Sequence, residues 1–482
     1  MHVVEQLGSC VAGSPGRRAG CPSLIPHAGA PRRRAGPRSS PGRKGYRLVM
    51  RIPVGHLTGA TLTAGRRVCR WRVGRPLTPA IIVALGSLAL LVSRTWGPGH
   101  QFVPLDLSVY RDGSGDVLGS GDLYQDTFGV HPLPFTYPPS AAIALLPLRF
   151  LGFQQVGVLW TGASLACLLL MLYIACRTGN VKSLGSRPGW PVVLMLFAWL
   201  LWLEPVQSTV SFGQINLILD GLIVLDVCCD IAWLPKGTLL GIAAAIKLVP
   251  LFFIVYRLLA RRTRAAATAA ISFAAVTSIG WAAAPDASRQ YWTRLVFNTD
   301  RVGSPQYVAN QSLHGVIVRA LGVEHSTIGT LLWAACALVT AIWGLSIAVR
   351  LNQRQGALPG LLVAAGTSLL VAPTSWSHYY VWVAPAAALL VLMRRAISFV
   401  YLAGGLLCVL VFFVHPIWWL PNGHNVELHY SVIQQVLASS YVIATLLLLA
   451  GAEVWARQAR PGAPAGPSEA ARIGSLEAVA RP

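Results

Sequence analysis

A succession of apolar runs long enough to cross a bilayer constrains this chain more than any other feature. A hydrocarbon core of about 30 Å needs about 20 apolar residues in helical form. The first such run covers about 78–96 (TPAIIVALGSLALLVSRTW). A shorter run, 139–150, opens at the Pro138-Pro139 pair. The others lie near 154–176, 190–207, 213–234, 238–258, 265–284, 326–349, 357–373, 378–393, 397–416 and 431–453, for about twelve crossings. Only 12% of the 482 residues are charged, about half of the roughly 25% usual in soluble domains. The fold class expected is an all-α polytopic membrane protein with long outer loops.

The formal charge of +22 does not indicate nucleic acid. Residues 1–77 carry fifteen Lys or Arg against one acid, Glu5, and so supply most of it. The remaining Arg residues cluster at the ends of apolar runs and present no folded basic face. Three regions follow. Residues 1–74 read as a basic, disordered cytoplasmic segment, in which Met50 is an alternative start. Residues 75–455 form the transmembrane domain, and 456–482 a disordered cytoplasmic tail. The clusters Arg257/Arg261/Arg262/Arg264, Arg350/Arg354, Arg394/Arg395 and Arg457/Arg460 belong inside by the positive-inside rule. Twelve crossings satisfy all of these and place loops 97–138, 285–325 and 417–430 outside. The segment 177–189, with Arg177, Lys182 and Arg187, dissents. Six of the nine Cys lie within apolar runs, and no disulfide or metal spacing is readable.

The loop after the first run holds five of the 17 acidic residues: Asp106, Asp112, Asp116, Asp122 and Asp126. A polar loop of this length between apolar segments is more often functional than a mere connector. Asp106 could act as a general base on a hydroxyl, although its residue type alone more often marks a helix cap or a solvated loop carboxylate. Tyr110 shares its face if the stretch is helical. The other four Asp residues have Gly and Ser neighbours that favour turns. Tyr137 stands at the far end of the loop, just before a helix start marked by Pro.

Lys247, in GIAAAIKLVPLFF, is a charge within an apolar run. Such a charge costs about 2.5–3.5 kcal/mol on insertion scales and therefore faces a cavity or a partner. It suits a phosphate, or equally an ion pair with Asp220 or Asp226. Glu204 and Gln207 read as polar contacts between helices. Asn310, Gln311 and His314 offer donors and acceptors suited to sugar hydroxyls. Trp376 and His378 sit at the outer end of a run, where an aromatic belt is the plainer alternative.

Taken in order, DLSVYRDGSGDVLGSGDLY, PFTYPPSAAIALLPL, FGQINLILDGLIVLD, GIAAAIKLVPLFFIVYRLLARR, NQSLHG and SWSHYYVW are similar to motifs of the actinobacterial polyprenyl-phosphate-mannose-dependent α-(1→2)-mannosyltransferases, glycosyltransferase family 87. The resemblance covers about residues 75–455. It implies the C-type glycosyltransferase (GT-C) fold, with a catalytic Asp in the first outer loop, here Asp106. It implies that His378 lies in the active site, with Lys247, Asn310 and Gln311 as family positions of undefined role. Where family members carry a second His after the motif His, this chain has Tyr379.

The function expected from the resemblance is inverting transfer of mannose from polyprenyl-phosphate mannose to a 2-hydroxyl of a mannosylated envelope glycolipid. The acceptor would be a phosphatidylinositol mannoside or lipomannan/lipoarabinomannan. The protein would be a multi-pass plasma-membrane enzyme with an outward-facing site, needing no metal, cofactor or nucleotide sugar. Candidate substrate-binding residues are Tyr110, Tyr137, Lys247, Asn310, Gln311, His314, Trp376 and His378, around the catalytic Asp106. The expected partners are the lipid-linked donor, the glycolipid acceptor and membrane lipids, with no nucleic acid. An arabinofuranosyltransferase of the same fold is the near alternative. A transporter or flippase is the distant one, although no internal repeat supports it.

Overall fold

The computed structural model describes residues 77–96, 104–117, 121–179, 189–322, 326–394 and 397–458. The expected disordered segment 1–74 lies outside the described residues, as does most of the tail. The described chain is mostly helical. In order, α1 is Leu77–Trp96, α2 Leu105–Asp116, α3 Pro139–Leu145, α4 Phe153–Thr178, α5 Trp190–Leu200 and α6 Glu204–Phe212. Next come α7 Asn216–Cys228, α8 Thr238–Ile246, α9 Leu251–Leu259, α10 Thr263–Ala283, α11 Pro285–Thr293 and α12 Leu313–Leu321. The last are α13 Thr327–Gln355, α14 Ala357–Val371, α15 Val383–Leu392, α16 Phe399–Val414, α17 Val432–Ala438 and α18 Ser440–Gln458. A two-residue hairpin, β1 (Thr127–Phe128) with β2 (Leu133–Pro134), lies in the loop between α2 and α3.

Four helices, α4, α10, α13 and α18, are long and apolar enough to cross a membrane, and α5 with α6 forms a fifth span bent by 76°. Shorter apolar helices, α1, α14 and α16 among them, accompany these. Ile328, Leu331, Leu338, Val339 and Ile342 on α13 are exposed, as are Ile271 and Ile279 on α10. Such faces suit lipid rather than water. Several expected runs differ from a continuous span: 190–207 divides into α5 and α6, and 431–453 into α17 and α18. Residues 213–234 carry only the 13-residue α7, and 238–258 divide into α8 and α9. Pro250 supplies the physical reason for the break between α8 and α9: it lacks an N–H and stands immediately before α9.

Local chemistry sets the helix ends. Ser312 caps α12 by accepting from Gly315 N at 3.1 Å, and Ser326 caps α13 through Gly329 N at 3.2 Å. The carboxylate of Asp226 caps α8 from a neighbouring helix, accepting from Gly237 N at 2.8 Å and Leu239 N at 2.9 Å. Asp226 is therefore occupied and is not the partner of Lys247. Helix pairs α8/α10, α13/α14, α1/α5 and α4/α7 form the main packing. At Gly241 any Cβ would stand 2.3 Å from Ala269 O, so a bare backbone is what lets α8 press against α10.

Candidate active site

Asp106 lies in the first turn of α2, where the helix dipole favours a carboxylate. One turn on, Tyr110 presents to the same face. Its hydroxyl donates to Gln214 Oε1 at 3.0 Å and shares a 2.8 Å hydrogen bond with the Tyr137 hydroxyl. The two rings meet edge to face at 5.2 Å. The Gln214 side chain also acts on the Asp106 carboxyl. Burial pushes the Asp106 pKa up to about 6, against smaller downward effects from Gln214 and from the positive charge of Lys247. The carboxylate is thus ionised near neutrality yet basic enough to accept a proton.

Gln214 reaches this position because α6 ends at Gly213, in the left-handed region at φ 66°. A Cβ there would stand 2.6 Å from Leu107 Cβ and 2.7 Å from Pro104 Cβ. Glycine alone lets the end of α6 meet the start of α2.

Lys247 occupies the extended residue between α8 and α9, at φ −142° and ψ 130°. Its Nζ donates to Asn216 Oδ1 at 2.7 Å and lies 3.6 Å from the centre of the Tyr379 ring, with Tyr137 at 5.6 Å. Asp220 and Asp106 both act on its charge. The residue that departs from the family pattern, Tyr379, therefore takes a cation–π place beside Lys247. His378 is buried on the 3-10 turn Ser377–Trp382. Its carbonyl accepts from Thr209 Oγ1 at 2.9 Å and Asn216 Nδ2 at 3.1 Å. Its ring meets Phe212 at 5.6 Å and Tyr379 at 4.9 Å, and its buried Nε2 has no hydrogen-bond partner.

Asp106, Tyr110, Tyr137, Lys247 and His378 are thus gathered around Gln214, Asn216 and Tyr379. Reading the sequence alone passes over Gln214 and Asn216 as candidates. Both stand in the FGQIN motif, which was the available signal. The other expected residues take different places. Asn310 Nδ2 donates to Pro305 O at 2.9 Å, and its Oδ1 accepts from Ser375 N at 3.0 Å. Gln311 Nε2 donates to Val308 O at 2.7 Å and Ala438 O at 2.6 Å, and its Oε1 accepts from Tyr441 N at 3.3 Å. His314 Nδ1 is 3.1 Å from Pro373 O, and its ring packs on Trp333. Trp376 packs edge to face on Tyr307 at 6.1 Å. These polar groups knit loop 305–315 to neighbouring backbone, so little capacity is left for sugar hydroxyls.

The remaining Asp residues serve the loop. Asp112 pairs with Arg111 at 3.2 Å. Asp122 Oδ1 accepts from Tyr124 N at 3.0 Å, and Asp126 accepts from Asp122 N at 3.0 Å. Arg301 clasps the same loop through Tyr124 O at 3.2 Å and Phe135 O at 3.4 Å. Among the described residues no three His, Cys, Asp or Glu side chains gather as metal ligands.

One tuned carboxylate beside a cation and an imidazole, on an apolar helical scaffold, defines a membrane-protein site able to deprotonate a hydroxyl and steady a departing anion. Known proteins bear on which transfer this is. The description "Glycosyltransferase family 87" matches residues 135–373. A Mycolicibacterium smegmatis protein, named polyprenol-phosphate-mannose-dependent alpha-(1-2)-phosphatidylinositol mannoside mannosyltransferase, is 34% identical over 77% of this chain and 87% of its own length. A Mycobacterium tuberculosis protein of the same name is 31% identical over 80% of this chain and 93% of its own. A further M. smegmatis relative, named for a phosphatidylinositol pentamannoside acceptor, is 35% identical over 60% of this chain and 68% of its own length. No solved structure matches. The chain belongs to glycosyltransferase family 87 and is a glycosyltransferase.

Proposed function

We propose that this enzyme transfers mannose, with inversion, from polyprenyl-phosphate mannose to a 2-hydroxyl of a mannosylated glycolipid. The acceptor is a phosphatidylinositol mannoside or a lipomannan-type chain. The enzyme has the GT-C fold with about twelve crossings, lies in the plasma membrane, and faces the outer side with Asp106. The observation that carries this reading is the buried cluster itself: Asn216 holds both Lys247 and the His378 turn, and Asp106 shares the face of Tyr110, which holds Gln214. The names of the relatives support mannose, the lipid donor and the acceptor class.

In the reaction, Asp106 takes the proton from the acceptor hydroxyl as its oxygen attacks the anomeric carbon. The bond from that carbon to the donor phosphate oxygen breaks, and the electron pair leaves with the polyprenyl phosphate. A phosphate leaves as an anion, so no second carboxylate is needed to protonate it, unlike the pair used by a glycosidase. Lys247 and His378 steady the developing charge. The Tyr110–Gln214–Tyr137 relay lies beside the base. An apolar cavity of about 510 Å³ between α14, α15, α16 and α18, with Tyr380 and Trp382 in its wall, suits the polyprenyl chain.

The test is purified protein in liposomes, given labelled polyprenyl-phosphate mannose and a phosphatidylinositol mannoside acceptor. The expected product is acceptor extended by one α-(1→2)-linked mannose. Transfer only from an arabinofuranose donor, or movement of lipid without transfer, contradicts the proposal.

A further inference from the structure

The buried carboxylate of Glu204 is used by no step above. Glu204, the first residue of α6, is 6% exposed. Its Oε1 accepts from Ser208 Oγ at 2.7 Å, Ser377 Oγ at 2.9 Å and Trp418 Nε1 at 3.0 Å, and its Oε2 from Tyr441 Oη at 2.8 Å. No cation pairs with it among the described residues. Burying a carboxylate without a cation is costly unless hydrogen bonds replace its water. Here four donors, from α6, the His378 turn, the 416–419 turn and α18, converge on it. An ionised carboxylate can accept from all four at once, whereas an amide must turn one end into a donor.

The segment that begins at Glu204 touches each ionisable group of the site. Glu204 grips Ser377, next to His378. Thr209 and Asn216 grip the His378 carbonyl, and Asn216 also takes Lys247. Gln214 acts on Asp106. The 76° bend between α5 and α6 falls just before Glu204, so the direction of this strut is set where Glu204 anchors it.

We infer that Glu204 is a positioning residue for the transfer: by locking α6 to the turn that carries His378, it sets Gln214 against the Asp106 carboxylate. This inference rests on Asp106 being the base. A small misplacement of that kind is felt in the rate, since an error of about 1 Å can cost about 100-fold. It is also felt in proton affinity. The groups facing Asp106 are Gln214, Lys247, Tyr110, Tyr137 and Tyr379. All are unchanged when Glu204 or Ser377 is replaced, so a shift reports their arrangement.

The experiment compares reconstituted wild type, Glu204→Gln, Ser377→Ala and Asp106→Asn, measuring kcat, donor KM and the acid limb of the pH profile. We expect kcat per folded molecule to fall about 10- to 100-fold in Glu204→Gln, less in Ser377→Ala, with donor KM little changed. In both variants the acid limb moves above its wild-type position near 6, because Asp106 loses the Gln214 interaction that favours its ionised form. Should Glu204→Gln fail to fold, Ser377→Ala, which removes one hydroxyl, gives the same readout in smaller degree. An unmoved limb, with activity lost only in proportion to folded protein, overturns the positioning role while Asp106→Asn keeps only a residual rate. Full transfer by Asp106→Asn overturns instead the base assignment beneath it.

Discussion

Two buried polar clusters in this molecule differ in one respect. Around Asn310 and Gln311 the amide hydrogen-bonding capacity is spent on backbone, and of the neighbouring Arg319 guanidinium only Nε is left over. Arg319 Nη1 alone reaches the carbonyls of Gln306, Tyr307 and Asn310 at 3.1–3.3 Å. Around Asp106, Lys247 and His378, capacity remains. The Asp106 carboxylate is acted on by the Gln214 side chain, and His378 Nε2 is buried without a partner. Both clusters are made of residue types that bind sugars. The first holds a loop in place; the second is the one proposed to exchange protons and charge with a substrate. Hydrogen-bond accounting, rather than residue type, separates the two.

Replacements in the two clusters should therefore differ in kind. The largest effect is expected from Asp106→Asn: transfer falls by as much as about 10⁴-fold, the range of a lost general base, with the melting temperature at or above that of wild type. Loss of folding along with activity would erase the contrast. Lys247→Met comes next. Removing a charge that steadies the leaving phosphate costs about 100-fold in kcat, measured by single-turnover transfer from the lipid donor. Gln311→Ala reverses the pattern. It strands Val308 O and Tyr441 N and leaves Ala438 O with only Arg319 Nη2, at about 1–3 kcal/mol for each buried group left unsatisfied. The melting temperature drops, while kcat per folded molecule stays within about twofold. A large loss of kcat in protein that remains folded would move Gln311 into the site. Smallest is Asp122→Asn, in which the remaining side-chain oxygen still serves the turn. Stability changes by less than about 0.5 kcal/mol and transfer stays normal.

How much of this was legible in the sequence varies by element. The apolar runs show the helical membrane character directly, because lipid leaves the backbone few other options. Asp106 and Tyr110 are four residues apart and do share a helical face. Lys247 was visible as a charge out of place, but the break between α8 and α9 that frees it was not. The run reads as one continuous span, and Pro250 becomes decisive only once Lys247 is pulled toward Asn216. Gln214 was hidden for another reason. Its role depends on the closeness of Gly213 to Leu107, a contact between residues more than a hundred positions apart that no local pattern records. Asn310 and Gln311 misled because amides suited to sugars suit backbone equally well.

Activity and stability should respond to pH in opposite directions. The folded pKa of Asp106 is raised from 3.8 to about 6. Its contribution to stability is therefore full below 3.8 and is lost as pH rises through about 6. The active, ionised form gains over the same interval. The most direct test of the account is kcat against pH for the reconstituted enzyme, with Asp106→Asn beside it. The account predicts a wild-type rate that falls about tenfold per pH unit below about 6, and a residual Asp106→Asn rate that is flat across that range. A wild-type profile flat to pH values well below 6, or the same acid limb persisting without the Asp106 carboxyl, would contradict it.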